Sequence, residues 1–388
     1  MDLTTREGWK AFLKANAPQF ILWLCMVLFA LLRWAWTGER QPLPEPPVPV
    51  FELVISDDLP ADVAEELEKR KVKVRRTGWR SPTPEEQAAT LRILQAPKFA
   101  GTEAGQEVIA DADAPLWKLA YKGRGKPIPI RDQGQVGSCV SFGFAGAVKY
   151  TMAAQAALGK ERQELPDIAQ EVIYAGSRVE VNGGRVPFSG DGSTGAWGAK
   201  WLETVGGALE RKQYGSIDLS AYSVQRAKQW GDRGVPDELE PEAKKHQARC
   251  TLVANAEEAR KALSQGYAIS VCSNQGFANT RDSEGFARAQ GSWAHCMLIA
   301  GYRADRPGFL IVNSWGAGWI SGPKGKYDDI PDGSFWAEAS VVDRMLKQQD
   351  SYAVANAAGF KRRKIAPSDW IVSAPAQRRF DGLFALAP

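Results

Sequence analysis

The sequence predicts an α+β domain that follows a single transmembrane helix near the N-terminus. A largely apolar segment at 140–158 ends at Gly159 and has the length of a buried helix. A helix is predicted near 256–264, and short apolar segments at 267–272, after His295 and before Asn313 are typical of buried strands. Helical and strand-like sequence therefore occupy different parts of the chain, as expected of an α+β domain.

The transmembrane helix is predicted from residues 20–36, an apolar run that only Arg33 interrupts. At about 1.5 Å per residue it spans roughly 25 Å, near the lower limit for a bilayer. Arg33 would snorkel at one end, where Trp34 and Trp36 suit the membrane interface. A cleaved signal peptide and a buried helix are the alternatives, but no small-x-small cleavage site follows the run.

Positive charge is distributed unequally about this run. Arg6, Lys10 and Lys14 precede it, whereas Arg33 and Arg40 lie at or after its end. The positive-inside rule then favours a cytoplasmic N-terminus and an exported C-terminal domain. We therefore expect a single-pass membrane protein with its main domain on the periplasmic or extracellular side. A phage virion component is the alternative setting.

Composition divides the chain into five parts. Residues 1–40 hold the N-terminal tail and the transmembrane helix, and 41–50 form a proline-rich linker. Residues 51–115 are an extension, for which a prosegment, an added strand-and-helix layer and a tether are the alternatives. Within it, a helix is predicted from about Pro84 to Gln95, with Ser81 and Thr83 as candidate caps. The main domain covers 116–358, and a basic, proline-containing tail covers 359–388.

Charge and cysteine content exclude several function classes. The chain has 49 basic and 45 acidic residues, and this balance predicts no nucleic-acid partner. Its five cysteines are too few and too scattered for a disulfide scaffold, and none forms a Cys-x-x-Cys zinc pair. We expect no cofactor and no metal, although His246 and Cys250 have the spacing of a two-ligand site. Because the chain has only two histidines, a histidine base must be His246 or His295.

The loop before residue 139 indicates a reactive cysteine. Gly134 and Gly137 permit a tight turn, and the predicted helix starts directly after Cys139. The partial positive charge and unpaired N–H groups of a helix N-terminus favour thiolate over thiol. Cys139 is therefore a candidate nucleophile, and a buried inert cysteine is the alternative.

Two further blocks supply partners for this thiol. His295 precedes an apolar strand and would face a cleft, whereas His246 lies among charged residues and is expected to be exposed. Asn313 follows the next strand, and its amide oxygen can accept the imidazole N–H and fix the ring. Trp315 would then cover that hydrogen bond from water. A histidine satisfied within the core and an ordinary strand-end asparagine are the alternatives.

Taken together, these blocks resemble the papain family of cysteine peptidases. His295 and Asn313 follow Cys139 by 156 and 174 residues, against roughly 130–150 in that family, which implies an insertion. The resemblance implies that Cys139 is the nucleophile, His295 the general base and acid, and Asn313 the orienting residue. It also implies that Gln133 forms an oxyanion hole with the Cys139 N–H, and that Trp315 shields the triad.

The resemblance further implies a two-lobe fold. A helical lobe would carry Cys139, a β-barrel-like lobe would carry His295 and Asn313, and the cleft would lie between them. Val136 and Val140 depart from the family pattern, since most members have a disulfide-forming cysteine and an aromatic residue at these positions.

Substrate-binding residues follow from the same resemblance. The family's glycine loop aligns loosely with residues 190–197, so backbone groups of Ser193, Thr194 and Gly195 are expected to pair with an extended substrate. An ordinary turn is the alternative. Trp293, with Ala294, falls where the family lines its main specificity pocket, and we expect a shallow pocket that accepts small side chains.

The predicted function is a cysteine endopeptidase that hydrolyses protein or peptide substrates through a thioester acyl-enzyme. A Cys/His transpeptidase or cell-wall amidase is one alternative, because it uses the same chemistry. A catalytically silent, membrane-tethered or virion binding protein that keeps the fold is another. The membrane itself is the second expected partner, through the N-terminal helix.

Overall fold

The computed structural model describes residues 52–55, 73–125, 127–159 and 167–370. These residues fall into two compact units, and the main one contains 54–55 and 75–370. Glu52, Leu53, Lys73 and Val74 belong to the other unit. The predicted transmembrane run at 20–36 and the linker at 41–50 lie outside the described residues. Among the helices that are described, none is long and apolar enough to cross a membrane.

Nine α-helices are found in the described residues, and the third is the longest. They are α1 (Pro84–Ile93), α2 (Leu116–Arg124), α3 (Cys139–Leu158), α4 (Gln170–Arg178), α5 (Gly195–Lys200), α6 (Val224–Arg233), α7 (Glu240–Ala243), α8 (Ala256–Ser264) and α9 (Ala339–Leu346). Short 3-10 turns lie at Phe99–Gly101, Glu180–Asn182, Lys244–His246 and Pro367–Trp370, and a π-helical turn, Trp201–Val205, directly continues α5.

Most strands of the described chain join one antiparallel sheet. The strands are β1 (Glu52–Ile55), β2 (Lys73–Arg76), β3 (Gln213–Tyr214), β4 (Ile217–Asp218), β5 (Arg249–Leu252), β6 (Ile269–Arg281), β7 (Ala287–Arg303), β8 (Gly308–Val312), β9 (Ser334–Glu338) and β10 (Tyr352–Ala355). Six of them form the main sheet in the order β5-β10-β6-β7-β8-β9. This order is linear, so the described part of the expected barrel-like lobe is an open six-stranded sheet.

Local sequence accounts well for the helix boundaries. Helix α3 begins at Cys139 and ends before Gly159, and α8 covers the predicted 256–264. Helix α1 begins after a capping box in which Thr83 Oγ1 accepts from the Glu86 amide. It ends at Ile93, two residues before the predicted end. Because the Gln95 amide donates to Glu203 Oε1 at 2.7 Å, the backbone leaves the helix there.

Glycines in α3 determine how closely it packs on the sheet. A Cβ at Gly143 would lie 2.7 Å from Ser270 Oγ and 2.8 Å from Cys296 Sγ. One turn later, a Cβ at Gly146 would lie 3.1 Å from a methyl of Leu298. Only residues without a side chain permit this approach. The helix that starts at Cys139 therefore lies directly against β7, the strand that carries His295.

Candidate active site

The Cys139 thiol lies at the first residue of α3 and has no exposed surface. Backbone N–H groups at Cys296 and Val140 favour its thiolate and lower its pKa. Burial outweighs them, and with the nearby Cys296 sulfur it raises the pKa of Cys139 well above the usual range of a thiol. A thiolate is expected at a helix N-terminus, but while Cys139 is fully buried its side chain is therefore a neutral thiol.

The His295 imidazole is hydrogen-bonded to Asn313, the residue expected to fix the orientation of the ring. His295 Nε2 and Asn313 Oδ1 are 2.8 Å apart, and the same oxygen accepts from the Ser314 amide at 2.7 Å. The Trp315 ring stacks on the imidazole, with centroids 4.6 Å apart and 29° between the planes. Because an amide oxygen only accepts, Nε2 must carry the proton, and the Nδ1 lone pair is left to act as a base.

Burial controls the charge of this histidine. His295 has no exposed surface, and burial lowers its pKa to about 4 although the Asn313 bond raises it. Its Nδ1 is buried and finds no hydrogen-bond partner among the described residues. Cys296, the next residue, directs its backbone N–H towards the Cys139 sulfur. The neutral ring thus presents an unused basic nitrogen on the strand that faces the thiol.

Gln133 joins the loop before Cys139 to the loop after Asn313. Its side chain is buried, and Oε1 accepts from Ser314 Oγ at 2.6 Å. Its backbone N–H donates to Ser314 O at 2.8 Å. Its Nε2 donates to Val136 O and to Arg76 O, at 2.9 and 3.0 Å. The expected oxyanion donor is therefore present, but another part of the same chain uses it.

The segment Arg75–Arg80, called the cleft segment from here on, covers the candidate residues. Arg76 O accepts from Trp315 Nε1 at 2.9 Å as well as from Gln133. The amides of Gly78 and Trp79 both donate to Ala294 O, at 3.1 and 3.0 Å.

On its other side the cleft segment pairs with the predicted substrate loop. Ser193 donates its amide to Gly78 O, and Arg80 donates its amide to Ser193 O, each at 2.8 Å. This short ladder is a parallel bridge between Trp79 and Ser193. The backbone groups expected to hold a substrate therefore hold residues 78–80.

Comparison with known proteins identifies the family. Residues 122–327 match the model of the papain family of cysteine proteases. The chain belongs to the papain family of cysteine peptidases. It is 25% identical over 280 residues to cysteine proteinase 1 of Entamoeba histolytica, a match that covers 70% of this chain and 80% of that protein. The peptidase therefore has the papain-like fold and is a cysteine endopeptidase that acts on protein or peptide substrates.

Solved structures of cysteine peptidases also align with the chain. Xylellain of Xylella fastidiosa is 16% identical with a TM-score of 0.43, and the match covers 79% of this chain and 96% of that one. Procathepsin L 3 of the Tenebrio molitor larval midgut is 17% identical with a TM-score of 0.43, over 76% and 87% of the two chains. The family match favours the endopeptidase over the transpeptidase, the amidase and the silent binding protein.

The three predicted residues of the glycine loop contribute in different ways. Only the Ser193 backbone pairs with the cleft segment, while its hydroxyl is turned inward and bonds to Ser177 Oγ at 2.8 Å. Thr194 Oγ1 caps α5 by accepting from the Trp197 amide. The Gly195 amide donates to Asp350 at 2.7 Å. Thr194 and Gly195 therefore hold the conformation of the glycine loop, whereas the Ser193 backbone supplies the hydrogen bonds to the cleft segment.

Trp293 and Ala294 point to different surroundings because they alternate along β7. Trp293 packs in an aromatic group with Trp315, Trp319 and Phe277, at centroid distances of 4.9, 6.1 and 6.3 Å. Ala294 contributes its carbonyl to the cleft segment. The side chain found beside the glycine loop is instead that of Asp350, which no sequence motif marks.

The Asp191 carboxylate connects the loop before Cys139 to the glycine loop. Asp191 accepts from the Gly137 amide at 2.9 Å and from Tyr174 OH at 3.2 Å. Tyr174 OH accepts in turn from the Gly192 amide at 3.1 Å. Through these bonds the loop before Cys139 is held to the glycine loop, and Val136 in that loop packs with Tyr174 and Ala227. No sequence motif marks Asp191, since it lies in a glycine-rich stretch.

The remaining cysteines and the second histidine lie apart from the candidate triad or behind it. Cys272 and Cys296 are opposite each other on β6 and β7, with sulfurs 2.9 Å apart, and both are buried. Cys250 is buried on β5, whereas His246 is partly exposed and bonds to Glu242 at 3.1 Å. In the described ranges, no group of three or more His, Cys, Asp or Glu residues is arranged to hold a metal.

Proposed function

We propose that this endopeptidase acts through Cys139, His295, Asn313 and Gln133. The observation that carries the proposal is the 2.8 Å bond between His295 and Asn313, covered by Trp315, on the strand against which the Cys139 helix packs. Of the two histidines in the chain, His295 is buried between Asn313 and Trp315, whereas His246 is partly exposed and bonds to Glu242.

The proposed reaction proceeds in two halves. His295 Nδ1 takes the thiol proton, and the Cys139 sulfur attacks the substrate carbonyl carbon. Gln133 Nε2 and the Cys139 N–H bind the resulting oxyanion. As the C–N bond breaks, the imidazolium returns its proton to the leaving amine. Water, deprotonated by the same imidazole, then splits the thioester and restores the thiol.

The covered cleft supports a further proposal about residues 51–115. We propose that this region acts as an inhibitory prosegment through the cleft segment, because Arg76 O occupies the Gln133 donor and Ala294 and Ser193 are already paired. Neither Cys139 nor His295 has exposed surface while the segment is seated. Substrate then binds only after the segment leaves.

Replacement of Asn313 by alanine is expected to lower kcat/KM by about tenfold to a hundredfold. Without its oxygen, the imidazolium loses the bond that raises the His295 pKa, so the thiolate–imidazolium pair should lose its proton at lower pH. The alkaline limb of the pH–rate profile should therefore move towards acid. Asn274→Ala, on an exposed residue, is the matched control. An unchanged profile would argue against the orienting role.

We also propose that the peptidase is anchored by residues 20–36 with its main domain exported. The apolar run, its terminal tryptophans and the preceding basic residues support this topology. Expressed in full, the chain should stay with membranes after a carbonate wash, and external protease should degrade its main domain in spheroplasts. Recovery in the carbonate supernatant, or protection of the domain until lysis, would contradict the proposal.

A further inference from the structure

A buried carboxylate lies at the bottom of the pocket that Trp79 fills. Asp350 has no exposed surface, and its Oδ2 accepts from the Trp79 indole Nε1 at 2.7 Å. Two backbone amides of the glycine loop, Gly195 and Ala196, also donate to this carboxylate at 2.7 Å. The indole therefore supplies the one side-chain donor among the three described hydrogen bonds to it.

The backbone before Asp350 is held in an unusual conformation. Gln349 has a φ of 63°, and it is the single non-glycine residue with positive φ in the described ranges. Such a conformation is costly without glycine and persists only where surrounding contacts impose it. This turn directs Asp350 towards the glycine loop, where a Cβ at Gly195 would lie 2.9 Å from its carboxyl carbon.

The chemistry of the pocket favours a donor over a purely apolar side chain. Burial raises the pKa of Asp350 to about 7, while its three N–H donors oppose that rise. If the occupant lacked an N–H, a buried acceptor would lose a partner without gaining water. The Trp79 side chain is only 6% exposed and belongs to the main hydrophobic cluster.

The position of Trp79 relates this pocket to substrate. Its backbone lies between Ser193 and Ala294, the groups expected to hold an extended peptide beside His295. Resting on the function proposed above, we propose that Asp350 selects substrates of this peptidase by accepting a hydrogen bond from a tryptophan indole seated where Trp79 lies. Tryptophan should then be preferred to apolar residues of similar size.

The coupling between Trp79 and Asp350 can be measured on the full chain without turnover. The readout is the rate at which iodoacetamide alkylates Cys139, followed by mass spectrometry of its peptide. Trp79→Phe and Asp350→Asn should each raise this rate about tenfold or more, since each removes a hydrogen bond to an acidic group. The double variant should be no faster than the faster single variant. Additive effects, or no effect of Trp79→Phe, would overturn the proposal.

The proposed preference for tryptophan can also be tested with two matched ligands on a chain that keeps Asp350. This test does not depend on whether the Asp350→Asn variant folds. Acetylated tripeptide aldehydes with tryptophan or 1-methyltryptophan at each position in turn would compete with iodoacetamide for Cys139 of the full-length Gly78→Ala variant, in which a clash between the new Cβ and Gly137 is expected to lift the cleft segment. At one position, tryptophan should protect at least about tenfold better, because the methyl group removes only the N–H. Equal protection by both at every position overturns the selection. If no aldehyde protects, the proposed nucleophile fails, and the mutant cycle still decides the role of Asp350.

Discussion

Replacing Gly78 by alanine is expected to uncover Cys139 in the intact chain. A Cβ on residue 78 would lie 1.9 Å from Gly137 O and 2.3 Å from Gly137 C. These are backbone atoms of the loop before Cys139, so no side-chain rotation can relieve the clash. The cleft segment must therefore lift, and iodoacetamide should alkylate Cys139 about tenfold to a hundredfold faster. Peptidase activity of the uncut chain should rise with it.

The matched control is Gly101→Ala. No heavy atom lies within 4 Å of a Cβ at residue 101, so the same chemical change should leave the alkylation rate unaltered. Thermal unfolding of both variants would show whether the main domain stays folded. If Gly78→Ala left Cys139 as unreactive as in the parent chain, the cleft segment would not be what covers it.

In the Gly78→Ala background, Cys139→Ala should abolish peptide hydrolysis. Loss of the nucleophile removes the acyl-enzyme route entirely, and a fall in kcat of about 10⁴-fold or more is expected. His295→Ala should be nearly as damaging, since the buried His295 Nδ1, which has no hydrogen-bond partner among the described residues, is the proposed acceptor of the thiol proton. Product release from a fluorogenic peptide library would measure both.

The chain offers controls of the same residue types. Cys250→Ala removes a buried cysteine on β5, and His246→Ala removes the partly exposed histidine bonded to Glu242. Both variants should keep activity close to that of the background. Equal losses for His246→Ala and His295→Ala would contradict the assignment of the base and favour a role without catalysis.

Sequence alone predicted the features that depend on local pattern. The start of α3 at Cys139 follows from a glycine-rich loop and an apolar run, and α8 coincides with the helix predicted near 256–264. The His295–Asn313 bond was predicted because each residue adjoins a recognisable strand. In these cases neighbours in the sequence determine the conformation.

Features that depend on distant contacts were not predicted. Trp79 lies in a short segment without periodicity, and its indole reaches Asp350, which is 271 residues away. Asp350 itself precedes β10 with no surrounding motif. The shallow pocket for small side chains expected near Trp293 stays a prediction, while the contact between Trp79 and Asp350 beside the glycine loop is a feature that no sequence pattern indicated. Burial of a carboxylate cannot be read from its neighbours in the chain.

The covalent continuity of the cleft segment has a consequence for how the peptidase responds to its surroundings. As the proposed inhibitor, the cleft segment competes with substrate from within the same chain. Its effective concentration is therefore fixed, commonly in the millimolar range for short connections. Dilution of the protein therefore leaves the fraction of inhibited molecules unchanged, and substrate must displace an inhibitor whose effective concentration is constant. The apparent Kd for substrate equals the intrinsic Kd divided by the fraction of molecules whose cleft is open. A single proteolytic cut between the cleft segment and the main domain would convert this intramolecular inhibitor into one that can dissociate and diffuse away.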